Sequence, residues 1–432
     1  MNFKTIRHKI SSQKSHWLRG FLIGLGISIL VSTMAILGHF RSYENPFTAV
    51  LQQVLGKKSD DIVLLFLTEK EYKTGFKARS PLSRTRLAEI VNTLVRLEPR
   101  VIALDIDLSD DTDQDDDLIK AIRNAGSKNI PVVIPGIIKP VIDMDSDHGE
   151  RADLHPYIPE IYSTTNDGFT LFHPPALKKD YLEIAYTGGS IFALDRDGVF
   201  RNASLFYYID GNEEKKTAPS FPLAVATATM GLEKTDLYQA LSERKNNNLV
   251  LPIQNNTKSY NIHYGAKARI TPNFLGNYEH FERMIDIDAL LETYKSDYQG
   301  VETIFKNKTV IIGGSYDRND FYTTPVGRMS GMEIIANITQ NILDHNLISH
   351  LSFWKAFALE VLFGAFVALI FILFSPMKAI IYCFISLAPL IVFGSLIAFS
   401  ATYYWFDFIP TIAGVMLHGL ISKIEANFHH KS

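Results

Sequence analysis

The sequence predicts an α/β domain with a mixed, largely parallel sheet covered by helices, together with four transmembrane helices, one N-terminal and three C-terminal. Short continuous apolar runs such as Ile62–Leu67, suited to strands buried on both faces, alternate with segments of helical apolar spacing, the pattern of a parallel sheet. Residues 21–40 hold no formal charge over 20 positions, enough to cross ~30 Å of hydrocarbon at ~1.5 Å per residue. Three further apolar stretches stand near the C-terminus, at 354–374, 380–400 and 404–421.

Charge placement orients these segments. Lys4, Arg7, Lys9, Lys14 and Arg19 precede the first stretch without any acid, which puts residues 1–20 in the cytoplasm. No small-x-small cleavage site follows at Leu37-Gly38-His39-Phe40, so the stretch reads as an uncleaved anchor in preference to a signal peptide. Residues 41–352 then lie outside, the turn at Lys378 inside, the aromatic turn at 401–405 outside, and the tail 422–432 inside. Glu360, about two turns into the first C-terminal helix, is the membrane-helix coupling candidate, with interface placement as the alternative. The net charge of −3 shows no basic excess, so nucleic acid is not an expected partner; the bilayer is. The single cysteine, Cys383, excludes an internal disulfide or a cysteine-based zinc site, and a disulfide-free envelope domain points to a bacterial host.

Within the outer domain, Ile62–Leu67 is the first strand. A helix follows over 83–98, with Ser83 as cap, Leu87, Ile90, Val91, Leu94 and Leu97 at helical spacing, and Pro99 as the stop. Val101–Leu108 is a strand, Asp115–Ala125 a helix closing at Gly126, and Ile130–Ile138 a third strand. Residues 140–175 are turn-rich and polar, a surface excursion. Strands are expected at 181–186, 204–208, 249–252, 260–264 and 308–314. Helices are expected at 221–230, with Pro222 in the first turn, and at 331–343, with Ile334, Ile335, Ile338 and Ile342 on one side.

The acidic run from Asp105 to Asp117 opens like a calcium loop at Asp111-x-Asp113-x-Asp115, but Asp116 and Ile122 stand where Gly and Glu belong, so a solvated loop without metal is the preferred reading and hard-cation binding by a looser loop the alternative. Asp105 and Asp107 end a strand, where parallel α/β sheets place their ligand crevice. Asp195-x-Asp197-Gly198 has the make-up of a tight turn, with Arg201 able to pair with either acid; ligand binding is the second reading. Gly313-Gly314-Ser315 lacks Walker spacing and its Lys. No Gly-x-Ser-x-Gly, His-Glu-x-x-His or outer nucleophilic cysteine is present, so neither enzymatic activity nor a cofactor is expected.

Several segments fall into one ordered pattern: Pro81-x-x-Arg84, Val101–Asp107, Asp117, Asp195–Arg201, Pro219-Ser220-Phe-Pro222, Ile262-His-Tyr264-Gly265, and a block over 306–343 containing Gly313, Asp320, Thr324-Pro325, Gly331-Met-Glu333 and Ala336-Asn337. In this order they resemble the type 2 CHASE domain, an extracytoplasmic sensor of bacterial signalling receptors. Ile335 stands where that pattern often has His. The resemblance implies an unknown extracytoplasmic ligand, with Arg84, Asp105, Asp107, Asp195, Asp197, Arg201 and Asp320 as binding candidates. Members of that family continue into a cyclase or kinase, whereas only about ten residues follow the last apolar stretch here. The expectation is therefore a sensor or accessory protein acting through a separate cyclase or kinase, or through self-association. A non-signalling envelope scaffold that reuses the fold is the alternative.

Overall fold

Every residue of Ile62–Leu67 (β1) is buried, so this strand has to be covered on both faces. The computed structural model shows how, and describes residues 61–136, 171–173, 177–195, 197–209, 216–252, 259–274, 284–314, 320–350 and 353–405, with Gln52 and parts of 22–34 and 412–421. The chain divides into two units, Gln52–Leu347 and Met1–Leu51 with Ile348–Ser432.

In the first unit, β1 leads through α1 (Glu69–Thr74) and α2 (Arg84–Arg96) to β2 (Val101–Asp105). Then come α3 (Asp115–Ser127), β3 (Val132–Gly136), β4 (Leu171–Phe172), α4 (Lys179–Ile184) and β5 (Tyr186–Gly189). Next are β6 (Ala203–Ser204), β7 (Phe206–Ile209), β8 (Lys216–Pro219), α5 (Phe221–Thr229), α6 (Lys234–Glu243), β9 (Asn248–Pro252), β10 (Ser259–His263) and β11 (Arg269–Ile270). The unit closes with β12 (Met284–Asp286), α7 (Ile287–Ser296), α8 (Tyr298–Phe305), β13 (Thr309–Gly314), β14 (Phe321–Thr324), β15 (Gly327–Ser330) and α9 (Gly331–Leu343).

The main sheet runs β12-β1-β13-β2-β3-β5, and all its pairings are parallel. Antiparallel pairing is confined to small sheets, β9–β10, β6–β11, β7–β8 and β14–β15, so the expected mixture lies between sheets and not within the main one. The crossovers β1→β2, β2→β3, β3→β5 and β12→β13 all step toward the same edge. Right-handed crossovers that step one way put their helices on one face. Val63, Leu65, Ile102, Leu104, Val310 and Ile312 accordingly pack there against α2, α3, α7 and α8. The opposite face, Ile62, Leu64, Val101, Ala103 and Ile311, is closed by α5 and α9. Both helices are buried along their length, up to Ile342 in α9. Met332, Ile335 and Ala336 of α9 face the sheet, while Ile334, Ile338 and Ile342 join a second core with β6, β9, β10 and α6. α5, apolar but for its two threonines, is an interior helix by composition, whereas α9 also buries Glu333, Asn337, Thr339, Gln340 and Asn341.

The sheet meets α5 at a position that only glycine fits. A Cβ on Gly188 of β5 would lie 2.6 Å from both Phe221 Cα and Ser220 O. Gly188→Ala is expected to cost about 1–3 kcal/mol, read as a lower denaturant midpoint at unchanged slope. An unchanged midpoint would show that the backbone yields freely there.

Several boundaries differ from expectation. β2 stops at Asp105 instead of Leu108, and α3 runs past Gly126 to Ser127. The segment 181–186 is mostly helix: Tyr181 and Ile184 of α4 turn onto the first core beside Leu177, which precedes the helix, and only then does β5 begin. Expected strand 204–208 is divided at Leu205 into β6 and β7. Most of 140–175 lies outside the described residues.

In the second unit, α10 (Phe353–Leu373) is followed by α11 (Pro376–Thr402), and β16 (Ser349–His350) pairs in parallel with β17 (Tyr404–Trp405). Among the described residues one stretch, Trp354–Phe371, has the length and apolarity of a membrane span, with mean hydropathy 1.9. Met377–Ser386, Val392–Thr402 and Ile412–Ile421 are shorter apolar helical stretches. The expected start of the last helix at Tyr404 is instead strand β17. Trp354, Leu362 and Phe366 of α10 and Ile385, Leu390, Phe393 and Ile397 of α11 are exposed, a surface suited to lipid. The tails 1–20 and 422–432 lie outside the described residues, apart from these helices.

Candidate functional site

The carboxyl edge of the sheet is built around the start of α9. β2 ends on Asp105, in register with Gly313 near the end of β13. Gly313 lies under Met332, whose Sδ would stand 3.0 Å from an added Cβ. Ser330 caps α9 by accepting from Glu333 N, and Ser330 N donates to Glu333 Oε2 at 2.7 Å, a reciprocal capping box. Asp320, just before β14, accepts from Gly331 N through its carbonyl at 3.0 Å. Its carboxylate covers Gly331, where an added Cβ would meet Oδ2 at 2.3 Å. Gly331 is thus required by close approach of an acid to the helix start.

Asp105 and Asp320 lie within reach of each other's charge. Burial, and then the negative charge of Asp320, push the Asp105 carboxyl up to about 7. Burial also raises Asp320, against hydrogen bonds from the Tyr322 hydroxyl and Gly331 N–H. No cation pairs with Asp105 among the described residues. Phe192, just beyond β5, stacks at a tilt on Tyr322 with ring centroids 4.9 Å apart. The strand ends therefore present two acids beside two aromatic rings at the N-terminus of α9.

The other candidates stand in different settings. Asp107 is exposed and turns back to accept from Ser109 N at 2.8 Å. Arg84 is fully buried and forms an ion pair with Asp115, Nε to Oδ1 at 3.3 Å. It also donates to the carbonyls of Leu82 and Asp110, each at 3.2 Å. Asp115 takes further bonds from Thr112 N, Thr112 Oγ1 and Tyr181 OH, and an ion pair from Lys178 at 2.5 Å. Burial works to raise Asp115, but Lys178, Thr112 and Tyr181 together hold it below its ordinary value. This closed network fastens the loop after β2 to the start of α2 and leaves Arg84 occupied.

Asp195, Asp197 and Arg201 pair with one another, while the buried Arg201 Nε has no partner among the described residues. Gly198 N donates to Asp195 O, with Gly198 at φ +78°, which closes a tight turn. Arg201 grips Asp197 with both terminal nitrogens, at 2.8 and 2.7 Å, and reaches Asp195 at 3.2 Å. The Arg201 bond holds the Asp197 carboxyl below its usual range. Phe200 N then donates to Thr323 O at 2.8 Å, attaching the turn to β14 beside Tyr322. Glu360 lies in α10, and its side chain is outside the described residues.

Sequence reasoning passed over three groups. Asp115 was one acid among many in a run. Tyr181 opens the expected strand 181–186, and Lys178, at the cap of α4, lies between that strand and the expected excursion at 140–175. Glu71, buried in α1, accepts from Arg86 Nε and Nη2 at 3.0 and 2.9 Å. Burial and a hydrogen bond with Asp288, opposed by Arg86, push Glu71 up to about 7. Lys70 pairs with Asp288 at 3.0 Å. Among the described residues no three His, Cys, Asp or Glu side chains are grouped so as to hold a metal ion.

Fold and site together define a three-layer α/β domain with a candidate ligand edge, in a chain that also carries a helix able to span a membrane. The chain belongs to the CHASE2 domain family, whose sequence profile matches residues 26–373 and whose members are extracytoplasmic sensor domains. It matches none of the curated proteins and none of the solved structures with which it was compared.

Proposed function

We propose that this chain is a membrane-anchored sensing subunit of a bacterial signalling system, binding an extracytoplasmic ligand at the Asp105–Asp320 edge and acting through a separate cyclase or kinase. Binding, without catalysis, is its task. Four membrane-spanning helices hold it in the cytoplasmic membrane with both termini inside.

Helix α9 is the observation that carries this reading. Its first turn forms the candidate site, through Gly331 under Asp320 and Met332 over Gly313. Its body is packed between two cores, so a shift at its start has to be passed along its length. Its last residue, Leu343, is followed in the chain by α10, which begins at Phe353.

Two measurements test the proposal. Lys295→Cys, at an exposed position of α7, is expected to react with a membrane-impermeant thiol reagent in intact cells with the outer membrane permeabilised. Protection until the inner membrane is opened would place the domain in the cytoplasm and end the proposal. Mild crosslinking of the tagged full-length chain in native membranes is then expected to recover a cyclase or kinase reproducibly. Recovery of envelope assembly proteins instead, with crosslinking shown to be efficient, would favour a scaffold.

A further inference from the structure

At one edge of the main sheet, two carboxyls from different helices are bonded to each other. Among the described residues, β12 is the edge strand and pairs with β1 alone. Each of these neighbours leads into a helix, β1 into α1 and β12 into α7. Glu71 of α1 is 1 % exposed, and its carboxyl is hydrogen-bonded to that of Asp288 in the first turn of α7. The enclosure is close, since a Cβ on Gly75, at the end of α1, would collide with the Glu71 carboxyl. The apolar hold on α7 is small: of its ten residues, Ile287 and Leu290 are the buried ones.

A hydrogen bond between two carboxyls needs a proton on one of them, because ionised carboxylates only accept. The charges around the pair favour keeping that proton. Lys70 of α1 pairs with Asp288 at 3.0 Å and also feels Glu292 of α7. Arg86 of α2 gives Nε and Nη2 to Glu71, while its Nη1 holds Glu89 at 2.6 Å. Lys70 and Arg86 therefore face Glu71, Glu89, Asp288 and Glu292, and the acids are in excess. Two carboxylates in contact do not both ionise without strong repulsion. Burial, and then the bond with Asp288, push Glu71 up, whereas the bond with Glu71 leads the effects that hold Asp288 down, so the proton resides on Glu71. We propose that Glu71 and Asp288 share one proton as a latch between α1 and α7, and that its release parts the two helices and frees the sheet edge at β12. The domain thereby responds to the proton concentration of the compartment it faces, through residues other than the Asp105–Asp320 pair. The latch is closed in acid and opens as pH rises through about 7.

The experiment uses the full-length protein in nanodiscs, with the native cysteine removed as Cys383→Ala. Nitroxide labels are placed at Lys73→Cys on α1 and Lys295→Cys on α7, both exposed positions. The distance between them is read by electron paramagnetic resonance from about pH 5 to about pH 9. It is expected to lengthen as pH rises, with a midpoint near 7 and the slope of one proton. Glu71→Gln, whose amide still donates to Asp288 but holds no titrating proton, is expected to keep the short distance throughout. Asp288→Asn, which leaves Glu71 to ionise against Arg86, is expected to abolish the neutral transition, and it decides where Glu71→Gln does not fold. A wild-type distance that is independent of pH would overturn the proposal. A neutral transition that persists in either variant would overturn it by assigning the response to another group. Lengthening seen only together with loss of helical circular dichroism would be unfolding and would overturn it as well.

Discussion

Arg84→Met is expected to lower the stability of the α/β unit by about 3–5 kcal/mol, the range for removing one partner of a buried ion pair. Methionine fills much of the arginine's volume but donates no hydrogen bond. The Arg84 side chain is 0 % and that of Asp115 3 % exposed, so water does not stand in for the lost guanidinium. The carbonyls of Leu82 and Asp110 lose their donor in the same step. Lys178 and Tyr181 remain on Asp115, which argues for the lower half of the range. Denaturant unfolding of the full-length protein in nanodiscs measures the effect. A loss under 1 kcal/mol would mean that the pocket opens to solvent at little cost, and the network would then not be what fastens the loop after β2.

The second large effect concerns pH. Asp105 titrates near 7 in the folded domain and near 3.8 in the free chain. Between those values the folded state holds a proton that the unfolded state has released. Stability from this group is therefore complete below about pH 4, declines as pH rises through the window, and is gone above about 7. Each unit is worth ~1.4 kcal/mol, and partial exposure of Asp105 at the sheet edge reduces the total to about 2 kcal/mol. Asp105→Asn is expected to make the domain more stable than wild type by that amount at pH 8 and to flatten the slope between pH 4 and 7. Glu71, also pushed up to about 7, contributes with the same sign, so Asp105→Asn leaves a residual slope that Glu71→Gln removes. Asp115, held low, works in the opposite direction and is lost only in acid. Parallel stability–pH curves for wild type and Asp105→Asn would refute the assignment.

What could be read from the sequence was what is local. β1 and β13 are continuous apolar runs, and α2, α5 and α9 carry Ser83, Ser220 and Ser330 at their caps, so type and position follow from a few adjacent residues. Asp105 was legible because a strand end is a local feature. Its partner Asp320 was visible within a motif, but its place over Gly331 depends on a hairpin folding back. Arg84 was legible as a motif residue and illegible in role. Its partner lies 31 positions away among several carboxylates, and nothing local marks Asp115 as the buried one. The segment 181–186 was mistaken for strand because Tyr181 is fixed by a bond to Asp115 66 positions earlier. α7 and α8 went unread; each is short, and their packing on α2 and β1 comes from distant chain.

The strand order carries a consequence for biogenesis. β1 and β2 are never neighbours, because β13 fills the slot between them and supplies hydrogen bonds to both. A chain exported from its N-terminus delivers β1, β2, β3 and β5 long before β13, and the sheet cannot close around a missing centre. β2, β3 and β5 can pair among themselves, but β1 and the facing edge of β2 have to wait unpaired until residues 309–314 emerge. Helix α9, which seals the second face, comes out later still and directly ahead of α10. Completion of the fold and delivery of α10, the helix long and apolar enough to cross a membrane, therefore fall at the same moment of synthesis, and a pause before β13 would leave an adhesive half-sheet exposed to proteases and chaperones.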